Sequence, residues 1–392
     1  MIAIESHRRA AEQKAVSRRS PISVLLVVRE LGLGGIERDV TKLALDFDRA
    51  RYVPYVATYK PYGPRFDELS AAGIPILPLE FPSLISSKAF AAALQLRSFI
   101  RKHNIRVVHA FDPSSVFAVP LARLFRVPVV LSSQLGHRQL HDPRTRNQLK
   151  YVDRWSDLVV VNCESLRRHL AEDYHVPRAR IELCYNGVQT ADFFPGKGVL
   201  PPEIAGAPLV IGAISVLRPE KALHELQQAF AKVRHLIPGC KLLIVGDGPE
   251  LSRLDECRNR LNLRDDCVLK PAVASVAPIM RGIDIFVSCS HSEAFSNAIL
   301  EAMACGCCVV GSRVGGTPEL IGLDDERGLL FQPGNVDDLA EKLSRLMGDH
   351  ELRAQVGARA ARYARTELTV EKNVARTMAI YDQLFDRKDT TR

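Results

Sequence analysis

What most constrains this chain is one rhythm that occurs twice. Short apolar runs of strand length alternate with amphipathic stretches of helix length, break off, and alternate again. In the first half, residues 22–28 read as a buried strand, followed by a turn at Gly32, Gly34 and Gly35 and a helix over 36–45. Further strands are expected at 52–58, 74–79, 107–110, 127–132 and 158–162. A helix is expected over 88–103, with Phe90, Leu94, Phe99 and Ile100 as its apolar stripe. The break falls at 192–208, where Pro195, Gly196, Gly198, Pro201, Pro202, Gly206 and Pro208 crowd together. Strands then resume at 209–214, 241–245, 267–270, 283–288 and 307–311, with helices between them. Strands alternating with helices imply a parallel sheet covered on both faces. At 392 residues the chain exceeds what one core usually organises, about 250–300 residues, so two domains are expected. The reading is a basic tail at 1–20, expected to be flexible, a first domain at 21–195, a linker at 196–208 and a second domain at 209–365. Residues 366–392 are expected to form a C-terminal helix that can pack back on the first domain.

Composition enters by exclusion. With 46% hydrophobic and 25% charged residues the chain is globular in character. No apolar run approaches the ~20 residues of a membrane-spanning helix. The apolar stretch behind the basic start is short and reads as a strand, which argues against a secretory signal. The nine cysteines are scattered. Cys305 and Cys308 form a Cys-x-x-Cys without a second arm, so the thiols are read as small reduced core residues and the compartment as the cytoplasm. The net charge of +8 is uneven: residues 1–200 carry +10 and the remainder −2. Nucleic acid, an anionic membrane face or an anionic acceptor would each account for that excess. Only 6% of residues are aromatic and no nucleic-acid motif is present, so nucleic acid is set aside.

The densest chemistry lies in His291-Ser-Glu-Ala-Phe-Ser-Asn-Ala-Ile-Leu-Glu-Ala-Met-Ala-Cys-Gly306. Ser296 is placed to cap a helix over 297–305, and Gly306 to end it. The first amides of that helix suit an anion such as a pyrophosphate. Glu293, in the loop before the helix, and Glu301, in its second turn, supply carboxylates for sugar and ribose hydroxyls. In the first half, Gly34 and Gly35 follow a strand and open a helix, the geometry of a turn that approaches phosphate. The dinucleotide fingerprint is not met, because position 37 is Glu, and no Gly-Lys-Ser/Thr is present.

The segment resembles the Glu-x7-Glu signature of the family-4 retaining glycosyltransferases. The likeness extends to Gly34-Gly35-Ile-Glu37-Arg38, Arg218-Pro-Glu-Lys221, Val245-Gly-Asp-Gly-Pro249 and Gly315-Gly-Thr-Pro-Glu319, in the family's order and spacing. The resemblance implies the GT-B architecture, two Rossmann-like doubly wound domains facing across a cleft. It implies that Glu293 contacts the donor sugar and Glu301 the nucleotide ribose. Phe295, Ser296 and Asn297 would line the sugar and phosphate pocket, with Gly34 and Gly35 over the donor phosphates. Lys221 would neutralise the departing diphosphate, a charge effect that is often the largest in catalysis. The chain departs from the family at three places. Ala294 stands where glycine is usual. Ser215 and Val216 replace the Gly-Arg pair, and Arg218 is the candidate to reach the diphosphate instead. Gln134 falls at the register of a first-domain histidine, with His137 three residues on; His137 is the preferred site residue.

The resemblance further implies transfer of a sugar, such as a hexose, with retention. No metal or other cofactor is expected, because Asp46-Phe-Asp48 falls at the end of a helix and Asp324-Asp325 in a late loop. UDP-sugars are favoured over GDP-sugars as donors. The acceptor would be a glycan or lipid-linked molecule of cell-envelope, lipopolysaccharide or exopolysaccharide synthesis. The basic run Arg138, Arg144, Arg146, Lys150, Arg154 and the basic helix at 88–103 fit a peripheral contact with the inner face of an anionic membrane. The alternatives are a catalytically weak or inactive sugar-nucleotide-binding relative, or a two-domain sugar-nucleotide epimerase, whose motifs lack the Glu293–Glu301 arrangement.

Overall fold

A computed structural model describes residues 20–323 and 325–390. The basic tail, apart from Ser20, lies outside the described residues, as does Asp324. The first sheet comprises β1 (Ile22–Glu30), β2 (Tyr52–Lys60), β3 (Ile76–Pro78), β4 (Ile105–Phe111), β5 (Val129–Gln134), β6 (Leu158–Val161) and β7 (Ile181–Leu183), in the order 3-2-1-4-5-6-7. The second comprises β8 (Val210–Ile214), β9 (Lys241–Val245), β10 (Cys267–Lys270), β11 (Ile285–Ser288), β12 (Cys308–Ser312) and β13 (Leu329–Phe331), in the order 10-9-8-11-12-13. Strand pairs such as β1 with β2 and β4, and β8 with β9 and β11, are parallel. Each sheet thus opens at its middle strand, winds outward to one edge, then returns to build the other: the doubly wound order expected from the repeated rhythm.

The apolar runs become central strands because both sheet faces are covered. Val24 to Val28 are each at most 1% exposed, the signature of a parallel strand buried on both sides. The edge strands β7 and β13, three residues each, are additions to the expected set.

The chain divides into two compact units. The first holds the described residues up to Ser132, Trp155–Asp157 and the end of the chain from Tyr381. There the last helix, Val370–Asp389, lays Tyr381 within 2.8 Å of His109 Nδ1, and Asp382 pairs with Arg51 and Tyr52. The second unit holds Ser133–Arg154 and Leu158–Ile380. Its core includes Phe286, Ile299 and Met303, and it contains every candidate site residue except Gly34 and Gly35.

The helix Ser87–Lys102 departs from its expected stripe. Ala89, Ala92, Leu96 and Ile100 face inward, while Phe90 and Leu94 are exposed. Small residues let this helix sit close on its neighbours, so packing selects alanines over larger side chains one position along. All nine cysteines are buried and unbridged, and burial raises the thiol pKa of Cys163 and Cys308 to about 12. Among the described residues no helix is long and apolar enough to cross a membrane.

Candidate active site

The site is built where β8 and β11 end. Beyond β8 the chain enters a short 3-10 turn, Pro219–Lys221, and beyond β11 it makes the loop 289–296. Lys221 Nζ lies 2.6 Å from Glu293 Oε2, and Ser290 Oγ donates to the same oxygen at 3.2 Å. The two segments are tied twice more. The His291 amide donates to the Glu220 carbonyl at 2.8 Å, and His291 Nε2 is 2.7 Å from Glu225 Oε1. Ser215, Lys221, Ser288, Glu293, Ser296 and Ala298 line one pocket. Lys221 is joined to the following helix by Ala222, which adopts φ 47° although it is not glycine. Left-handed backbone at a non-glycine residue costs about 1–2 kcal/mol and concentrates at functional sites.

The helix Asn297–Ala304 opens beside this pocket. Ser296 caps it, its Oγ accepting the Ile299 amide at 3.4 Å, and Gly306 follows its end at φ 85°. Both features were expected. The helix dipole leaves partial positive charge at its first turn, where an anion is stabilised. Asn297 Oδ1 accepts from Asn186 at 3.0 Å, Phe295 packs on Tyr185 with ring centres 5.5 Å apart, and Glu301 is buried. The loop Gly315–Gly316 seals the base of Glu293. A Cβ on Gly315, whose φ is 52°, would sit 1.6 Å from the Glu293 carbonyl oxygen. Gly316 donates its amide to Ala294 at 2.6 Å. Glu319 turns elsewhere: its carboxylate accepts the Glu164 and Ser165 amides at the start of the helix Glu164–Glu172.

Behind β5, Gln134 and His137 part company. Gln134 is fully buried, its amide donating to Asp153 at 2.9 Å and accepting from Arg138 at 2.8 Å. Both ends of the side chain are therefore committed to framework. The His137 ring bonds the backbone carbonyl of Glu293 and lies 4.9 Å from the His169 ring. Burial, then the neighbouring His169, lowers the His137 pKa and favours the neutral ring. His109 is a core residue, stacked on Phe111.

Lys221, Glu293, Phe295, Ser296, Asn297, Glu301 and His137 thus gather in the second unit. Arg218 is 61% exposed and its ion-pair partner is Glu220, at 3.9 Å. In the first unit Gly34 precedes the helix Gly35–Asp46 and accepts the Arg38 amide at 3.2 Å. Sequence reading missed Ser290, His291 and Glu225. Glu225 carried a signal: it stands among the inward-facing Leu223, Leu226, Gln227 and Phe230, where a carboxylate requires a partner.

The arrangement, paired sheets of one winding order with a capped helix at the mouth of the second, is that of GT-B glycosyltransferases. Anabaena HepE in complex with UDP and glucose superposes with a TM-score of 0.79 at 21% identity, covering 91% of this chain and 99% of that one. At that identity the likeness speaks for the fold. The model of glycosyl transferases group 1 matches residues 201–363, and that of glycosyltransferase family 4 matches residues 33–192. N-acetyl-alpha-D-glucosaminyl L-malate synthase of Bacillus anthracis is 31% identical over 309 residues, 76% of this chain and 80% of that enzyme. A sulfoquinovosyl transferase of Arabidopsis thaliana is 30% identical over 296 residues. The match covers 69% of this chain but only 55% of that relative. The chain belongs to the family-4 glycosyltransferases, the glycosyl transferases group 1.

Proposed function

We propose that this glycosyltransferase takes its sugar from a UDP-sugar in preference to a GDP-sugar and transfers it with retention to a glycan or lipid-linked acceptor of envelope or exopolysaccharide synthesis. The observation that carries the donor reading is the Lys221–Glu293 pair, 2.6 Å apart beside a capped helix N-terminus. A cation held by a carboxylate is positioned for a diphosphate and is kept from wandering when none is bound. In this reading the diphosphate takes the amides of the Asn297–Ala304 helix and the Lys221 ammonium, while Glu293 turns to the sugar. Phe295, Ser296 and Asn297 line the pocket, and Glu301 receives the ribose. Arg218 reaches the diphosphate from its exposed position.

The bond from the anomeric carbon to the diphosphate breaks as the bond to the acceptor oxygen forms on the same face. The acceptor proton passes to the departing phosphate oxygen. No side-chain nucleophile and no metal is needed, because Lys221 and the helix amides take up the developing charge. A neutral His137, bonded to the Glu293 backbone, fits a hydrogen-bonding role toward the sugar rather than that of a cation.

A melting panel with UDP- and GDP-sugars tests the donor, since a ligand bound only by the folded state raises the transition. A UDP-sugar should raise it most. No shift from any nucleotide-sugar, with no hydrolysis of them, would overturn the donor reading. The anomeric configuration of the product, read by proton NMR couplings, tests retention.

A further inference from the structure

Glu225 is a buried carboxylate that the chemistry of the pocket does not use directly. It stands in the first turn of the helix Leu223–Val233, beside the buried Leu223, Leu226 and Phe230, and is 7% exposed. A helix N-terminus favours negative charge, but an apolar face does not. Its Oε1 accepts from His291 Nε2 at 2.7 Å, since a carboxylate has no proton to offer. Its Oε2 has no hydrogen-bond partner among the described residues. Neither Glu225 nor His291 lines the pocket of Lys221 and Glu293. A carboxylate so placed rarely stabilises a fold better than an apolar side chain of similar volume, so its use lies in what it holds in place.

What it holds is the loop 289–296. From the side of β12, Ser312 Oγ donates to the Ser290 carbonyl at 2.5 Å, and the Gly316 amide to the Ala294 carbonyl at 2.6 Å. From the side of β8, the loop is reached by the Lys221–Glu293 bond, by the bond between the His291 amide and the Glu220 carbonyl, and by the Glu225–His291 bond. The first of these is temporary in the donor reading, because Glu293 then turns to the sugar and Lys221 to the diphosphate. The two bonds of His291 remain as the link. A single backbone bond fixes a distance and leaves rotation about it. A second bond, from the side chain of the same residue, removes that freedom. Glu225 follows Lys221 closely in the chain, and His291 closely precedes Glu293. The clasp therefore sets the spacing of Lys221 and Glu293 while their own bond is open.

We propose that Glu225 is a positioning residue for the donor. Through His291 it keeps the loop 289–296 in place against the Pro219–Lys221 turn, so that Lys221 and Glu293 stay correctly spaced when a nucleoside diphosphate separates them. The inference rests on the reading of Lys221 and Glu293 as donor residues, and adds to them a residue that touches no substrate. Without the clasp, binding must also order the loop, and that ordering is lost from affinity.

Glu225→Leu, His291→Ala, the two combined, and Glu225→Gln, each in the full chain, test it. Calorimetric titration with UDP and with GDP gives the affinity. Hydrogen–deuterium exchange of residues 217–222 and 289–296, with nothing bound, gives the order of the two segments. Glu225→Leu and His291→Ala should each weaken nucleotide binding by about tenfold or more and speed exchange of the loop amides, with melting close to wild type. His291 is half-exposed, so its removal keeps the test open if Glu225→Leu folds poorly by circular dichroism. The combined variant should be no worse than either single one, because the two side chains act as one unit. Glu225→Gln, whose side-chain carbonyl still accepts from His291, should keep most of the affinity. Wild-type affinity in Glu225→Leu or His291→Ala overturns the proposal. So do losses that simply add, equal losses in Glu225→Gln and Glu225→Leu, or a lost affinity with wild-type exchange. If neither nucleotide binds the wild type, the donor reading fails, and the clasp stands or falls on the exchange rates alone.

Discussion

Arg138 gives the sharpest test of how the site is held. It is fully buried, and so nearly is its partner Asp153. Its Nη2 lies 2.6 Å from Asp153 Oδ1, its Nε 2.8 Å from Gln134 Oε1, and Gln134 returns a bond of 2.9 Å to the same aspartate oxygen. Its guanidinium also stands 4.6 Å from the centre of the Tyr174 ring. Replacing a buried pair entirely can be neutral, but removing one partner leaves a charge in a medium that solvates it poorly. Arg138→Met, which keeps most of the volume, should therefore cost about 3–5 kcal/mol. Asp153→Asn alone should cost a similar amount. The double variant should cost less than the sum by roughly 2–3 kcal/mol. Trp155 is the sole tryptophan and ends the helix Pro143–Trp155 that carries Asp153, so its fluorescence reports this region during urea unfolding. Because Arg138 follows His137 directly, turnover should fall with stability. An Arg138→Met protein within about 1 kcal/mol of wild type, or two losses that simply add, would refute the argument.

Lys221→Ala should lower turnover by about 10²–10³ with little change in melting, the usual effect of losing one charge-stabilising group; undiminished turnover would remove Lys221 from the mechanism. Arg218→Ala should also reduce turnover, and full activity there beside a crippled Lys221→Ala protein would show that Arg218 does not stand in for the family arginine. Gly315→Ala forces a side chain into left-handed backbone and into the Glu293 carbonyl, so it should lose roughly 2 kcal/mol or more and abolish nucleotide-dependent melting shifts; a wild-type shift would contradict that placement. Burial lowers the His109 pKa from 6.5 to about 3. A group depressed in this way stabilises the fold fully above its unfolded pKa and progressively less as pH falls through 6.5 toward 3. Going from pH 7.5 to pH 5 should remove about 2 kcal/mol through this residue. Urea titrations should show that slope reduced by that amount in His109→Gln, and an unchanged slope would count against the neutral buried ring.

What the sequence disclosed depended on how local each cause was. β9 and β10 carry their signal in continuous apolar runs bounded by turns, and both were located to the residue. The Ser296 cap and the Gly306 stop are equally local. β7 and β13 were invisible because three residues beside a turn contain no period. The stripe of the Ser87–Lys102 helix was misread because size was taken for burial; its neighbours, not its own pattern, select Ala89 and Ala92. The Lys221–Glu293 contact joins residues 72 positions apart. Glu293 stands out from its place before the capped helix and Lys221 through the family resemblance, and nothing in either segment predicts the distance. The preference for His137 over Gln134 has no local cause in the sequence; the difference lies in Arg138 and Asp153, which occupy the glutamine from both sides.

Ala294 stands where glycine is usual, yet its φ is not positive and its side chain is buried in the core cluster. The close approach that glycine permits is supplied instead by the facing loop, where Gly315 and Gly316 press on the backbone of Glu293 and Ala294. The substitution therefore requires no strained backbone at this position. Val216 differs in kind. Leu217 is buried and its amide donates to Asp247, while a Cβ on Gly248 would sit 2.4 Å from the Leu217 carbonyl oxygen. That anchor leaves both flanking residues in water, Val216 at 45% exposure and the Arg218 side chain at 61%. A cation moved two positions along such a loop remains outside the core on the same segment as Lys221. A valine in water gains nothing from burial there. The loop accordingly sets no steric bar to Arg218 taking the diphosphate, and the comparison of Arg218→Ala with Lys221→Ala decides whether it does.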